Sequence, residues 1–243
     1  MMEIDASPDR LELADWRRRI SDLYAAVRAD SATDPEAAWR RWRETRESLF
    51  RSHSQSPVLA SDREAFQAQH WPYDPALRFD VAVDVDTPEN EPVVAPAAVV
   101  GAAVTGVAGG LASPLLGGLT LATLALPIST GGEESFTRIG WLTVPFKAGD
   151  RRLGLYWMAG YAGGLFLPFR DATSGHETYG AGRYVLDTAK SADLGPGAGP
   201  ASLVLDFNFA FQPSCAFDPR WACPLAPPEN RLDVRVEAGE RLT

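Results

Sequence analysis

The chain is 243 residues long, with 45% apolar and 23% charged side chains. This composition is ordinary for a globular protein and excludes a disordered, collagen-like or coiled-coil chain. The 23 basic and 32 acidic side chains leave a formal net charge of −9. Nucleic-acid binding is not expected, because a phosphate-binding surface needs clustered basic side chains.

Residues 1–76 are predicted to form a helical segment that packs on a β domain. Between residues 10 and 52, apolar side chains recur at three- and four-residue spacing, which is typical of amphipathic helices. Asp34 is the expected N-cap of a second helix, with Pro35 at its first position. A short third helix is expected from Ser61 to Gln69.

From Leu77 the periodicity changes to two, as in a half-buried strand. The later strand patterns follow one another too closely for crossover helices, so we expect an antiparallel sheet. The predicted fold is α+β: a β-sandwich or barrel at 77–243, mainly antiparallel, with two to three N-terminal helices packed on it. The further strands are expected at Phe136–Phe146, Leu153–Met158, Gly164–Phe169, Gly182–Asp187, Ser202–Phe211 and Arg231–Val236.

An uncharged segment rich in Gly and Ala, residues 92–132, interrupts the strand pattern. It is long enough to span a bilayer, but prolines punctuate it, and one crossing would separate the strands before and after it. Two interpretations remain open: an apolar loop or hairpin, or an interaction module that docks on a membrane or a partner protein. We treat residues 86–128 as an insertion in the β domain.

The N-terminus lacks the basic and apolar regions of a secretory signal, so a cytoplasmic location is expected. Two cysteines, Cys215 and Cys223, are too few for a disulfide framework and are either buried thiols or a disulfide. Zinc needs about four ligands, and only these thiols and a distant His176 are available, so no metal is expected. P-loop and dinucleotide fingerprints are absent from the sequence, and no cofactor is expected.

Three polar segments carry the candidate site. Residues 169–184 join two apolar strands, strand alternation in 203–211 predicts two polar side chains on one face, and five prolines impose an irregular path on 212–230. We expect the three segments to converge. The candidate ligand-binding residues are Asp171, Thr173, Thr178, Tyr179, Arg183, Tyr184, Asp206, Asn208, Glu229 and Asn230, with Cys215 and Cys223 as a candidate thiol pair.

Long motifs in these segments resemble the DUF1684 family of prokaryotic proteins. They are LFLPFRDATSGHETYGAGRYVLDT, LDFNFAFQPSCAFDPRWACPLAPPENRL and the closing EAGER, and the N-terminal WRRWRETRESLFRSHSQSP and YDPALRF also fit. The resemblance covers most of the chain except about residues 86–125. That family has no assigned activity, so the resemblance implies neither a reaction nor a cofactor. The chain departs from the family where Phe211 and Gln212 replace a more usual Tyr–Asn.

Two functions would use this candidate site. In the first, the β domain binds a small polar or anionic molecule, with Arg183 contacting the anionic group and Asp206 and Glu229 orienting the ligand. In the second, a metal-independent hydrolase uses Asp206 or Glu229 as general base. The structural alternative is a buried Arg183–Asp206 ion pair that braces the sheet. Whether the protein is an enzyme stays open at this point.

Overall fold

The computed structural model describes residues 7–85, 123–159 and 163–242. Two α-helices, α1 (Ser7–Ser31) and α2 (Pro35–Ser52), pack against each other in the first of these ranges. The predicted cap of α2 is confirmed, because the Asp34 carboxylate accepts the Ala37 N–H at 2.9 Å. Proline at the first helical position leaves no backbone N–H there to satisfy.

The third helix expected at Ser61–Gln69 is not formed, because this stretch makes turns up to residue 65 and then runs extended. Phe66 is its one large apolar side chain, so a helix here would have no apolar stripe to bury. Instead, the Arg63 guanidinium donates to the backbone carbonyl groups of Val58 and Ser54, both at 3.0 Å, and holds the chain in its turns.

Seven of the strands form one curled antiparallel sheet, a half-barrel, which confirms the predicted α+β class. The sheet order is β7-β6-β5-β4-β2-β8, and β3 pairs with the first half of β4. Strands β1 and β9 form a separate two-stranded sheet. The strands are β1 (Gln69–His70), β2 (Arg78–Val85), β3 (Thr123–Pro127), β4 (Glu133–Phe146), β5 (Gly149–Met158), β6 (Gly164–Phe169), β7 (Arg183–Asp187), β8 (Ser202–Asp206) and β9 (Glu240–Arg241).

Two hydrophobic clusters lie on the two faces of the sheet, because neighbouring residues of a strand point to opposite sides. Leu155 of β5, for example, belongs to one cluster and Tyr156 to the other. The helices cover one face, which buries Leu23, Val27, Trp39, Trp42, Phe136, Tyr156, Phe166, Tyr184 and Phe209. The other face buries Val81, Leu142, Val144, Leu153, Leu155, Leu167, Phe169, Leu205, Phe207 and Val236.

Two of the predicted strands require correction. β8 ends at Asp206 instead of Phe211, because Phe207–Phe209 form a 3-10 turn. The turn places Phe207 and Phe209 in different clusters, so the expected alternation from 203 to 211 is wrong. The strand expected at Arg231–Val236 is also wrong, since this segment crosses the end of β6 through isolated bonds, such as Leu232 N–H to Arg170 O at 2.7 Å.

Residues 92–122 of the uncharged segment lie outside the described residues, and so do both interpretations of that stretch, an apolar loop or hairpin and an interaction module. The described end of the segment contains β3, which pairs with β4 and contributes Leu126 to the helix-covered cluster. Across the described ranges, neither helix combines the length and the apolar character that a membrane crossing would need.

Candidate functional site

Arg183 begins β7 and is fully buried. Its guanidinium donates to three backbone carbonyl groups, those of Val236 (2.9 Å), Ala238 and Glu240 (3.1 Å). A fourth hydrogen bond joins Arg183 Nη2 to Asp171 Oδ1 at 3.4 Å. Burial lowers the pKa of Arg183 to about 10, and the Asp171 carboxylate opposes that shift. Arg183 therefore stays charged at neutral pH and ties β7 to the C-terminal segment.

The Asp171 carboxylate accepts most of its hydrogen bonds from residues of its own loop. Thr173 donates both its hydroxyl (2.9 Å) and its N–H (3.3 Å) to the carboxylate, and the Ser174 hydroxyl donates at 3.3 Å. The Val236 N–H adds a bond of 2.8 Å, and the Thr178 hydroxyl lies 3.0 Å from that of Thr173. Four candidate residues, Arg183, Asp171, Thr173 and Thr178, thus meet in one buried network. Arg183 Nε is the atom of this network that has no hydrogen-bond partner in the described structure.

A second buried network surrounds Asp206 at the end of β8. One carboxylate oxygen accepts the backbone N–H (3.0 Å) and side-chain amide (2.8 Å) of Asn208. The other accepts the Tyr73 hydroxyl and Arg78 Nη1, both at 3.2 Å. Burial raises the pKa of Asp206, and the hydrogen bonds from Asn208 and Arg78 act in the opposite direction. The Asn208 amide also exchanges two bonds of 2.8 Å with the backbone of Asp74.

The ion pair between Arg183 and Asp206, which was the structural alternative to a ligand site, is not formed. Arg183 pairs with Asp171, and Asp206 pairs with Arg78. The reason is topological: β7 and β8 are the two ends of the sheet order, so the residues they carry lie in different networks. The segments that carry the motifs therefore do not all converge at one point.

Asn230 ends a 3-10 turn, Pro228–Asn230, and fills a gap between β5 and β6. The register of these strands would pair Gly154 with Pro168, but proline has no N–H to donate. The Asn230 side-chain amide replaces the missing ladder bonds. It accepts the Gly154 N–H (2.7 Å) and donates to Gly154 O (2.9 Å) and Pro168 O (2.7 Å). The neighbouring Glu229 carboxylate accepts the Tyr156 hydroxyl at 2.6 Å.

The remaining candidates gather around the two cysteines, which are unbonded and buried. Cys223 Sγ accepts the Cys215 N–H at 3.3 Å. Burial and a hydrogen bond with Cys215 raise the pKa of Tyr179 to about 12. The Tyr184 hydroxyl donates to Pro224 O at 2.5 Å, and burial raises the pKa of that tyrosine. The candidate residues are therefore distributed over four separate clusters.

Sequence reasoning missed a buried ion pair between Arg46 of α2 and Glu240 of β9. The atoms Arg46 Nε and Glu240 Oε1 lie 2.5 Å apart, and the Arg46 guanidinium stacks over Phe50 and Phe211. The Gln212 N–H donates a further 2.7 Å bond to the Glu240 carboxylate. The available signal was a charged residue on the apolar stripe of α2, since a buried charge requires a partner.

An open cavity of about 390 Å³ lies beside this ion pair. Its walls are the turns and extended chain of residues 58–69, residues 212–217 at the start of the proline-rich loop, and residues 240–242. This volume lies within the range of small-molecule sites, roughly 300–1,000 Å³. The cavity lining consists of Val58, Asp62, Ala65, Phe66, Gln67, Ala68, Gln69, Gln212, Ala216, Phe217, Glu240, Arg241 and Leu242, and so includes none of the ten candidate residues.

Three charged residues line the cavity, Glu240, Asp62 and Arg241, and they differ in their surroundings. The Glu240 carboxylate is neutralised by Arg46, and Asp62 is exposed to solvent. The Arg241 guanidinium lies 5.3 Å from the centre of the Trp71 ring and has no carboxylate within 4.0 Å among the described residues. Arg241 is thus the basic residue of the cavity lining, and it has no anionic partner among the described residues.

Gln212, a residue of the cavity lining, carries an unpaired hydrogen-bond acceptor. The residue is 5% exposed, and its Nε2 donates to Arg241 O at 3.2 Å. Its Oε1 is buried without a hydrogen-bond partner in the described structure. An unpaired buried amide oxygen is costly, so the position favours an additional donor.

These features define an α+β protein in which N-terminal helices cover one face of a curled antiparallel sheet. The chain belongs to the DUF1684 family: the family model, described as a protein of unknown function, matches residues 65–241. This result confirms the resemblance seen in the motifs.

The fold is also found in a solved structure. The solution NMR structure of an uncharacterised protein from gene locus rrnAC0354 of Haloarcula marismortui has a TM-score of 0.54 and 26% sequence identity to the chain. The similarity covers 88% of this chain and 97% of that one. No curated protein matches the chain.

Proposed function

We propose that the protein binds a small organic anion with an apolar, ring-sized body in the cavity bounded by residues 58–69, 212–217 and 240–242. The observation that carries this proposal is that Arg241, a cationic residue of the cavity lining, has no carboxylate partner in the described structure. A guanidinium can bind a carboxylate or phosphate through two parallel hydrogen bonds.

Three further features support an anionic ligand. Arg183 and Arg241 both lie 5.3 Å from the centre of the Trp71 ring, so two guanidinium groups share one aromatic side chain. Arg46 neutralises Glu240, which removes the negative charge that would otherwise repel an anion. Trp71 also restricts the plane of the Arg241 guanidinium, which lowers the entropy lost on binding.

The aromatic residues of the lining favour an apolar ring. Phe66 and Phe217 meet edge to face, with their centres 5.8 Å apart, and Val58 adds aliphatic surface. Aromatic side chains of this kind give a ligand ring both apolar contact and a preferred orientation.

The motif residues support this cavity through the backbone rather than by contacting the ligand. Arg183 holds the carbonyl groups of Ala238 and Glu240, directly before Arg241 in the chain. The cavity does not favour the hydrolase alternative, because neither general-base candidate lines it. Asp206 is fully buried with both carboxylate oxygens accepting protein hydrogen bonds, and the Glu229 carboxylate accepts the Tyr156 hydroxyl at 2.6 Å.

The test is a calorimetric titration of the purified chain with 1-naphthoate, and with the neutral analogue 1-naphthamide. We expect saturable binding of 1-naphthoate and at least tenfold weaker binding of the amide, a difference of about 1.4 kcal/mol. The Arg241→Met variant should remove this difference, because the guanidinium is its source.

Arg220→Met is the matched control, since Arg220 also stacks over a tryptophan, Trp221, at 5.5 Å but does not line the cavity. This variant should bind 1-naphthoate like the parent chain. Failure to bind 1-naphthoate at millimolar concentration, or an equal effect of the two arginine variants, would overturn the proposal.

A further inference from the structure

The two thiols of the proline-rich loop form a compact cluster separate from the cavity lining. Cys215 lies in the 3-10 turn Ser214–Ala216, and Cys223 follows eight residues later. Each cysteine is 6% exposed, and the Cys223 sulfur accepts the Cys215 N–H at 3.3 Å. The two buried thiols therefore differ from isolated core cysteines, because each lies next to a second thiol with which it can react.

The turn after β3 fixes the loop that carries the thiols. Ser129 accepts the Cys223 N–H at 3.0 Å through its hydroxyl, which also donates to Trp221 O at 2.8 Å. The Ser129 N–H donates to Cys223 O at 3.0 Å. Tyr179, from the other candidate loop, lies close enough to Cys215 for that thiol to contribute to the raised pKa of the tyrosine. Cys223 is therefore held against Cys215 by contacts from a different part of the chain.

The surroundings make the two thiols chemically unequal. The hydrogen bond from the Cys223 thiol and, to a lesser extent, the nearby Ser129 and Tyr179 side chains lower the pKa of Cys215 to about 6, against the opposing effect of burial. The side-chain hydrogen bond with the Cys215 sulfur and burial raise the pKa of Cys223, and the N–H of Cys215 acts in the opposite direction. This difference in pKa favours Cys215 as the thiolate and Cys223 as the protonated thiol, the states that an attacking and a resolving thiol require.

We propose that Cys215 and Cys223 form a redox-active dithiol that reduces hydroperoxides, with Cys215 as the attacking thiol and Cys223 as the resolving thiol. The Cys215 sulfur attacks the peroxide, so that an S–O bond forms, the O–O bond breaks, and the alcohol or water leaves after taking a proton. The Cys223 sulfur then loses its proton and displaces hydroxide from the sulfenic acid as water, forming the S–S bond.

The net change is balanced. One dithiol and one hydroperoxide give one disulfide, one alcohol or water from the peroxide, and one further water. The two cysteines lose two electrons together, and the peroxide gains them. A small external dithiol, such as dithiothreitol, reverses the change by thiol–disulfide exchange.

The test treats the reduced full-length chain with equimolar hydrogen peroxide at pH 7, followed by alkylation and peptide mass spectrometry. We expect an intramolecular Cys215–Cys223 disulfide that dithiothreitol reduces. Cys223→Ser should accumulate a sulfenic acid on Cys215 that dimedone captures, whereas Cys215→Ser should leave Cys223 unmodified. Capture on Cys223 instead, or no disulfide in the parent chain, would overturn the assignment.

A second measurement does not depend on the folding of these variants. The rate of peroxide consumption by the parent chain should rise with pH around a midpoint near 6, because the Cys215 thiolate is the reactive species. At pH 7 the rate should exceed that of free cysteine, whose pKa is about 8.5, by about two- to threefold, because a roughly 30-fold larger thiolate fraction is offset by the weaker nucleophilicity of a low-pKa thiolate. A midpoint near 8.5, with the rate of free cysteine, would contradict an activated thiol.

Discussion

Replacing Arg183 by Met should lower the free energy of unfolding by about 3–5 kcal/mol, the usual cost of removing one partner from a buried ion pair. The variant leaves three backbone carbonyl groups without their donor and leaves Asp171 without its counter-charge. Methionine keeps much of the side-chain length, so apolar contact with the Trp71 and Phe169 rings is largely preserved. The loss therefore reports on the polar network rather than on a cavity.

The assay is urea unfolding at pH 7 with Arg235→Met as the control. Arg235 also bonds two carboxylates, those of Glu177 and Glu237, but its side chain is 47% exposed. An exposed ion pair contributes about 1 kcal/mol or less, so the control should differ little from the parent chain. Equal losses in the two variants would refute the reasoning that burial makes Arg183 essential to the fold.

Three further variants test other parts of the fold. Burial lowers the pKa of His70 from 6.5 to about 4, so between these pH values the unfolded chain takes up a proton that the folded chain does not bind. The free energy of unfolding should therefore fall by about 3 kcal/mol between pH 6.5 and pH 4. In urea unfolding, His70→Gln should abolish this part of the pH dependence. Asn230→Ala should cost about 2–3 kcal/mol in the same assay, because Gly154 and Pro168 lose their bonding partner. Asp34→Ala should cost about 1 kcal/mol, measured as a lower melting temperature, and an unchanged value would contradict its capping of α2.

A short apolar run bounded by polar or glycine residues could be predicted as a strand from the sequence, whereas a change of direction within a strand-like pattern could not. The prediction of Gly164–Phe169 agrees with β6 residue for residue. In contrast, apolar and polar residues keep alternating from Leu203 to Phe211, although the chain turns after Asp206. The cause is local: the Asp206 carboxylate caps the turn by accepting the Asn208 N–H. Alternation alone does not distinguish that turn from two further strand residues.

The polar motifs could be located in the sequence, but their grouping could not. Arg183 and Asp206 are both buried, as their apolar neighbours suggested, but they begin and end strands at opposite edges of the sheet. Strand order depends on tertiary pairing that no local pattern records. The Arg46–Glu240 pair was detectable in part, because Arg46 interrupts an apolar stripe, whereas its partner lies 194 residues away in the chain.

The most direct test of the cavity as the functional site is a crystal structure of the chain grown with saturating 1-naphthoate. We predict the carboxylate within hydrogen-bond distance of the Arg241 guanidinium, and the naphthyl ring against Phe66 and Phe217. An empty cavity at saturating concentration, or a naphthoate bound away from Arg241, would contradict the account.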